Sequence, residues 1–295
     1  MKKYVILIPI YNDWKSAFNL LKNIELQIAN WDAEVSILII NDASIEIRPK
    51  TDLIFKSIKS IRVLNMKINR GHARCNAAGL KFLIEKEKFD HVILMDGDGE
   101  DRPEELSLLF NKSKQNPSKT ITADRIKRSE GLFFKLLYSC HKILTYIFTG
   151  KLIKFGNYSC LPREAVAKLV KEACIWSSFS GSLTKIIPDR ISVPSIRGQR
   201  YFGPSQMNLL NLFVHSLSII AVFKKSAAVR SILFLILYLF FISSNFSIIT
   251  LFPVFAIFIF MLLIFRISFR ENIEELNKSL DNIDSIDILG NFNNR

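Results

Sequence analysis

The sequence predicts an α/β chain, a mostly parallel, doubly wound sheet followed by a pair of membrane-length apolar helices. Compact apolar runs alternate with amphipathic stretches before residue 200. Several of these runs end in polar or acidic clusters, and residues 227–267 are nearly continuous hydrocarbon.

Residues 4–10 read as the first strand, an apolar run that reaches Tyr11, Asn12 and Asp13. The lysines ahead of it imitate a signal peptide. The run is short, however, contains Pro9 and leads to no small-residue cleavage site. A helix follows with Ala17, Leu20, Leu21, Ile24 and Ile28 on one face. Residues 35–40 form a second buried strand, ending at Asn41-Asp42-Ala43-Ser44. Residues 61–64 form a shorter third strand that feeds Asn69-Arg70-Gly71-His72, and a helix through Ala73, Ala77, Leu80 and Ile84 comes next. Residues 91–95 are the fourth strand and residues 120–123 the fifth. The amphipathic stretch 131–148 suits either a core helix or a helix on a membrane surface.

The fourth strand ends in Asp96-Gly97-Asp98, with Glu100 two residues further on. Open α/β sheets bind ligands at the carboxyl edge of their strands. Carboxylates spaced this way on an extended chain end can share one hard divalent cation, which one or two carboxylates and substrate phosphates typically hold. Taken alone, the same residues suit an acidic strand-to-helix turn in which Pro103 and Glu104 start a helix. The clusters at Tyr11-Asn12-Asp13 and Asn41-Asp42 favour a site, because a parallel sheet brings all three to one edge.

The chain has 295 residues and a net charge of +13, and 49% of it is hydrophobic. That length allows an ample core. The last stretch, 268–295, has more acidic than basic residues, so the positive excess lies before it. Anionic lipid and phosphorylated substrates account for this charge. No zinc-finger spacing, RNP-type aromatic motif or basic zipper is present, which argues against nucleic acid. Cys75, Cys140, Cys160 and Cys174 lack metal-type spacing and imply a reduced setting. His72, His91, His141 and His215 share no spacing and read as structural, with His72 beside the Gly71 turn a partial exception.

Taken in order, Ile8-Pro9-Ile10-Tyr11-Asn12-Asp13, Asn41-Asp42-Ala43-Ser44, Asn69-x-Gly71-His72-Ala73-Arg74 and Asp96-x-Asp98-x-Glu100-Asp101-x-Pro103-Glu104 resemble family-2 glycosyltransferases. The similarity covers roughly residues 3–215. It is nearest the branch of dolichyl- and polyprenyl-phosphate sugar synthases, whose bacterial members carry a membrane hairpin. The resemblance implies a GT-A fold binding a nucleotide-diphosphate sugar with Mg²⁺ or Mn²⁺. It assigns Pro9, Tyr11, Asp13 and Asp42 to the nucleoside, Asp96 and Asp98 to the nucleotide–metal site, and Glu100 to the metal. Asp13 stands where Glu is usual and Glu100 where Gln is frequent. Asp124-Arg125-Ile126-Lys127-Arg128 is similar to the family's Ser-Arg-x-x-Arg segment, and a guanidinium there suits a diphosphate. Arg197–Gln206 resembles the segment Arg-x-x-Arg-x-x-Gly-x-Ser-Lys, which gives Arg200 a phosphate and Ser205 a place in donor binding. Gln206 replaces the lysine, and Ser159 replaces an arginine of the Gly-x-Phe-Arg-Leu segment.

Residues 208–222 read as an interfacial helix, and 227–243 and 248–267 are each long enough to span where about 17–25 residues are needed. The linker 244–247 is uncharged, while Lys224, Lys225, Arg230, Arg266 and Arg270 flank the outer ends. By the positive-inside rule both termini and the catalytic domain are cytoplasmic. The expected division is a glycosyltransferase domain over 1–204, juxtamembrane helices over 205–226, a hairpin over 227–267 and an acidic tail over 268–295. Ile273, Leu276, Leu280 and Ile283 in the tail have a three-four spacing suited to self-association.

The expected activity is inverting transfer of a hexose from a UDP- or GDP-linked donor to polyprenyl (undecaprenyl) phosphate at the inner membrane. Asp98, Arg125 and Arg200 are the catalytic candidates, and Asp96, Arg128 and Ser205 join the donor site. A lipid phosphate is already an anion and needs no general base. A sugar hydroxyl would need one, and Asp101 is nearest by position. Ser159 and Gln206 favour the main alternative, extension of a lipid-linked or surface glycan. A membrane-tethered nucleotide-sugar-binding protein without turnover is the rival from another class, opposed by the intact Asp-x-Asp.

Overall fold

The computed structural model describes residues 1–50, 53–127, 132–203 and 209–292. The chain runs β1 (Lys2–Ile10), α1 (Trp14–Ile28), β2 (Ala33–Asn41), β3 (Ile54–Phe55), β4 (Ile58–Met66), α2 (His72–Lys86) and β5 (His91–Leu94). It continues with α3 (Leu106–Gln115), β6 (Thr120–Lys127), α4 (Leu132–Thr149), β7 (Ser159–Pro162), α5 (Arg163–Leu169), α6 (Phe179–Ile186) and β8 (Arg190–Ile196). The remainder is α7 (Leu209–Ala221), α8 (Lys224–Ile242), α9 (Ile248–Ser268), α10 (Ile273–Asn277), β9 (Ile283–Ile288) and β10 (Asn291–Phe292).

Eight strands form one sheet in the order β8-β6-β7-β5-β1-β2-β4-β9, and β10 pairs with β3. β1 is parallel to β2 and β5, and β2 to β4. β7 runs antiparallel between β5 and β6, and β8 is parallel to β6. Thus β1, β2, β4, β5, β6 and β8 all end at one edge, while β7 and β9 start there. Strand alternation divides the core into two layers. Tyr4, Ile6, Ile8 and Ile10 pack with Ile37, Ile39 and Ile93 under α1 and α3. Val5 and Leu7 pack with Leu38, Ile40, Val92 and Leu94 under α2, α5 and α6.

α8 and α9 are long and apolar enough to cross a membrane. Their side chains face outward: only Ala227 and Ser231 of α8, and Ile264 and Ser268 of α9, are buried. That exposure is unlike the core helix of a soluble domain. At their base Phe148, Leu217, Ile220, Ala221, Ala227 and Ile264 form a small third core joining α4, α7, α8 and α9. The carboxyl half of α7 is therefore packed inside the protein, a difference from a helix lying wholly on an interface.

Residues 268–292 are not a free tail. α10 packs on the α2 side, with Leu276 fully buried, and β9 adds to β4 as an antiparallel strand. The apolar spacing over 273–283 is thus used inside the chain, where Leu280 and Ile283 pack beside Leu276, and a helix for self-association is corrected on that ground.

Candidate active site at the carboxyl edge of the sheet

Each parallel strand hands a polar group to the shared edge. At the end of β1, Asn12 adopts φ 49°, and at the end of β2, Ala43 adopts φ 56°. Both are left-handed conformations in non-glycine residues, a kind of strain that concentrates at functional sites. The Asn12 amide donates to Ser44 Oγ (2.9 Å), and Asn12 Oδ1 accepts from the Ile45 amide (2.9 Å), so the two turns hold each other. Pro9 is buried in the last part of β1, and Tyr11 is 42% exposed at the rim. Asp42 is buried and accepts from the Arg70 amide (2.9 Å) and the Gly71 amide (2.8 Å). It ties the turn after β2 to the start of α2.

The loop after β5 carries the acidic motif. Gly97 is required by close packing, because a Cβ there would lie 2.8 Å from Ile10 Cγ2 and 3.0 Å from the Pro9 carbonyl oxygen. Asp96 Oδ1 meets His72 Nε2 at 2.9 Å and accepts from Asn157 Nδ2 at 3.0 Å. Burial opposes ionisation of Asp96, yet the His72 ring, Arg125 and Asn157 outweigh it and hold the carboxyl far below its usual range. His72 moves the opposite way: desolvation lowers its pKa, and the Asp96 carboxylate more than offsets this, raising it. Together they form a hydrogen-bonded pair at the first residue of α2.

Asp98 Oδ1 accepts from the Glu100 amide (3.0 Å), and its Oδ2 accepts from Arg200 Nη1 (2.6 Å). Arg200 Nη2 donates to Asp13 Oδ2 (2.7 Å), so one guanidinium joins the β1 turn to the acidic loop. Burial and then the nearby Asp96 charge push the Asp98 pKa up, against Arg200 and Arg197. The backbone after β8 follows the same loop: the Gly198 amide donates to the Glu100 carbonyl (2.8 Å) and the Tyr201 amide to the Asp98 carbonyl (2.9 Å). Gly99, at φ 90°, lies against the Tyr201 ring, where a Cβ would come within 2.6 Å.

Glu100 pairs with Arg197. Among the described residues, no three His, Cys, Asp or Glu side chains are grouped as a ready metal cage. Asp101, 4% exposed, is turned inward. Its Oδ2 accepts from the Asp96 amide (3.0 Å) and its Oδ1 lies 3.6 Å from Arg125 Nη2. Burial and the Asp96 charge push its pKa up to about 7, with Arg125 opposing. This placement makes Asp101 a support of the loop rather than a base at the open edge. Arg125 packs on Gly156, where a Cβ would lie 2.7 Å from Nη2.

The structure therefore brings Asp13, Asp96, Asp98, Arg125 and Arg200 to one edge. Arg128, Ser205 and Gln206 lie outside the described residues. Ser159, which replaces the family's arginine, is fully buried in β7 and donates to the Asn157 carbonyl (2.8 Å). Sequence reasoning missed Asn157, Arg197 and Tyr201 as members of the site. Asn157 stands two residues ahead of a four-residue strand, and nothing in its spacing points to Asp96, 61 positions earlier.

The family model described as glycosyl transferase family 2 matches residues 5–172. Undecaprenyl-phosphate 4-deoxy-4-formamido-L-arabinose transferases from two strains of Klebsiella pneumoniae are 26% identical over 222 residues. That alignment covers 72% of this chain and 65% of the relatives' length. Among solved structures, glucosyl-3-phosphoglycerate synthase from Mycobacterium tuberculosis, bound to Mn²⁺, UDP-glucose and phosphoglyceric acid, superposes with a TM-score of 0.51 at 13% identity. It covers 77% of this chain and 80% of that one. A second structure of that synthase, bound to Mn²⁺, UDP and phosphoglyceric acid, gives a TM-score of 0.50 at 14% identity, covering 77% and 78% of the two chains. At such identity the likeness shows the fold, a GT-A arrangement. With a family match that takes in the first strand, the acidic loop and the helices between them, the chain belongs to glycosyl transferase family 2.

Proposed function

We propose that the chain is a membrane-anchored, inverting glycosyltransferase that moves a hexose from a UDP- or GDP-linked donor to a polyprenyl phosphate on the cytoplasmic face. The observation that carries this reading is Arg200. It contacts the acidic loop and the β1 turn together, and it lies only a few residues ahead of α7, the helix that leads into the apolar pair. The donor site and the membrane segment are thereby neighbours along one short piece of chain. The undecaprenyl-phosphate transferases among its relatives support the acceptor class.

Asp96 and Asp98 would hold Mg²⁺ or Mn²⁺, since hard carboxylate oxygens at the edge suit such a cation when donor phosphates complete the shell. The cation, when bound, stabilises negative charge developing on the departing diphosphate. His72 and Asn157 hold Asp96 in place through its Oδ1. Arg125 and Arg200 would add positive charge at the edge, the latter held between Asp98 and Asp13. A lipid phosphate would attack as an anion, a reaction consistent with the inward-facing Asp101.

The hairpin's basic flanks, Lys224, Lys225, Arg230, Arg266 and Arg270, favour a cytoplasmic base. The return of the chain to the sheet at β9 supports the same geometry, since both ends of the hairpin must then lie on the catalytic side. The test incubates membranes bearing the full chain with radiolabelled nucleotide-sugars and undecaprenyl phosphate, then separates lipid products. A mild-acid-labile, monophosphate-linked sugar is the expected product. Label found only in longer glycans would transfer the reading to glycan extension, and donor binding without any turnover would make the chain a binding protein.

A further inference from the structure

After the hairpin, Leu276 is buried in the core, but the strand that follows it contributes little by burial. β9 is an edge strand with no fully buried residue, and Ile286 and Ile288 are 50% and 73% exposed. The side chains of Ser285 and Asp287, by contrast, make polar contacts toward the turns at the carboxyl edge. Asp287 Oδ2 accepts from Asn65 Nδ2 (2.9 Å) and from Arg48 Nη1 (2.8 Å). Asn65 Nδ2 also donates to Ser285 Oγ (3.0 Å), so two side chains of β9 fix its amide group. With its nitrogen so held, Asn65 presents Oδ1 to Asn41 Nδ2 (3.0 Å). Asn41 Oδ1 in turn accepts from the Ser44 amide (3.2 Å), and Ser44 Oγ accepts from the Asn12 amide (2.9 Å). The relay ends at the two turns that hold left-handed Asn12 and Ala43.

A second clamp acts on the neighbouring turn. Asn282 Oδ1 accepts from the Ile68 amide (3.1 Å), and its Nδ2 donates to the Ile68 carbonyl (2.9 Å). That turn leads directly to the Arg70 and Gly71 amides that bind Asp42. Strained turns keep one conformation only where their surroundings over-determine it. Here much of that determination comes from residues beyond the apolar helices.

We propose that Asp287 is a positioning residue of the donor site, acting through Asn65 and Asn41 to fix the turns after β1 and β2 in the form that receives a nucleoside diphosphate sugar. The inference rests on the reading of those turns as the nucleoside wall. It makes the post-hairpin strand a working part of the site, in series with the membrane segment, rather than a trailing end.

The test uses the full chain in detergent, with UDP and GDP each titrated in the presence of Mn²⁺, together with donor kinetics for the nucleotide that binds. Asp287→Ala should weaken nucleotide binding and raise the donor KM by about tenfold, as expected for losing a hydrogen bond to a charged group, while kcat stays within about twofold. Asp287→Asn, which keeps an acceptor oxygen, should recover most of the loss. Asn65→Ala cuts the same relay one link further in and should cost the same factor, and the double variant no more than either alone. Asn65→Ala carries the test if Asp287→Ala fails to fold. Wild-type affinity in both single variants, or additive losses in the double variant, would overturn the proposal. If those variants bind normally while Asp98→Ala loses metal-dependent binding, the donor-site reading stands and the relay alone falls. If the parent chain binds neither nucleotide, both fall.

Discussion

Arg200 donates to Asp98 at 2.6 Å while its other terminal nitrogen donates to Asp13 at 2.7 Å, so a single planar group spans the first and fourth strands of the parallel set. A guanidinium can bridge two carboxylates in fixed geometry, and an ammonium cannot do so as well. Arg200→Ala should lower transfer by about 100-fold or more, on the scale of losing a preorganised charge contact. Arg200→Lys should recover only part of it. Initial rates at saturating donor check both, and near-parental activity in the alanine variant would remove Arg200 from the site.

Gly97→Ala introduces a methyl group 3.0 Å from the Pro9 carbonyl, against backbone that cannot swing aside as a side chain can. The acidic loop must shift off β1. We expect loss of metal-dependent donor binding with a stability cost of about 1–3 kcal/mol, typical of overpacking. Thermal unfolding alongside nucleotide titration separates the two effects. Retained binding would show that the loop tolerates displacement.

His91 offers a stability prediction remote from the chemistry. It is 3% exposed, stacked on Tyr4 at 4.9 Å, and bonded through Nε2 to the Pro117 carbonyl (3.0 Å). Burial lowers its pKa in the folded protein. Below about pH 6.5 the unfolded chain then binds a proton that the folded chain refuses, so stability falls as the pH drops. The loss levels off once the folded pKa is passed. His91→Gln should flatten this part of the melting-temperature profile, and an unchanged slope would assign the acid sensitivity elsewhere.

The hairpin can be tested with cysteine chemistry. Cys75, Cys160 and Cys174 are buried, and Cys140 on α4 is exposed, so Cys140 reports the catalytic side. In intact cells a membrane-impermeant maleimide should label Asn245→Cys in the turn between α8 and α9 and leave Cys140 unmodified until the cells are opened. Labelling of Cys140 from outside would reverse the orientation.

The parallel strands and their acidic ends were legible because buried strands announce themselves as apolar runs and because turns after them must be polar. Asp13, Asp96 and Asp98 were found that way. The partners of those carboxylates were not: His72 and Asn157 converge on Asp96 from 24 residues before it and 61 after, a closeness fixed by topology alone. β9 was misread for a different reason. An exposed edge strand has no face whose burial fixes a period of two, so Ile283 could continue the three-four spacing of the helix before it. Ser159 was noted only as a departure from a motif, and its burial in β7 could not be read from that motif without the strand.

β9 also follows both apolar helices in the order of synthesis. While the ribosome is still producing α8 and α9, β4 is the raw rim of an unfinished sheet, its outward backbone groups unpaired. The domain therefore cannot mature ahead of its anchor. A nascent chain halted before residue 283 would leave that rim open to pairing with another chain, whereas a chain carried through β9 closes it with that strand.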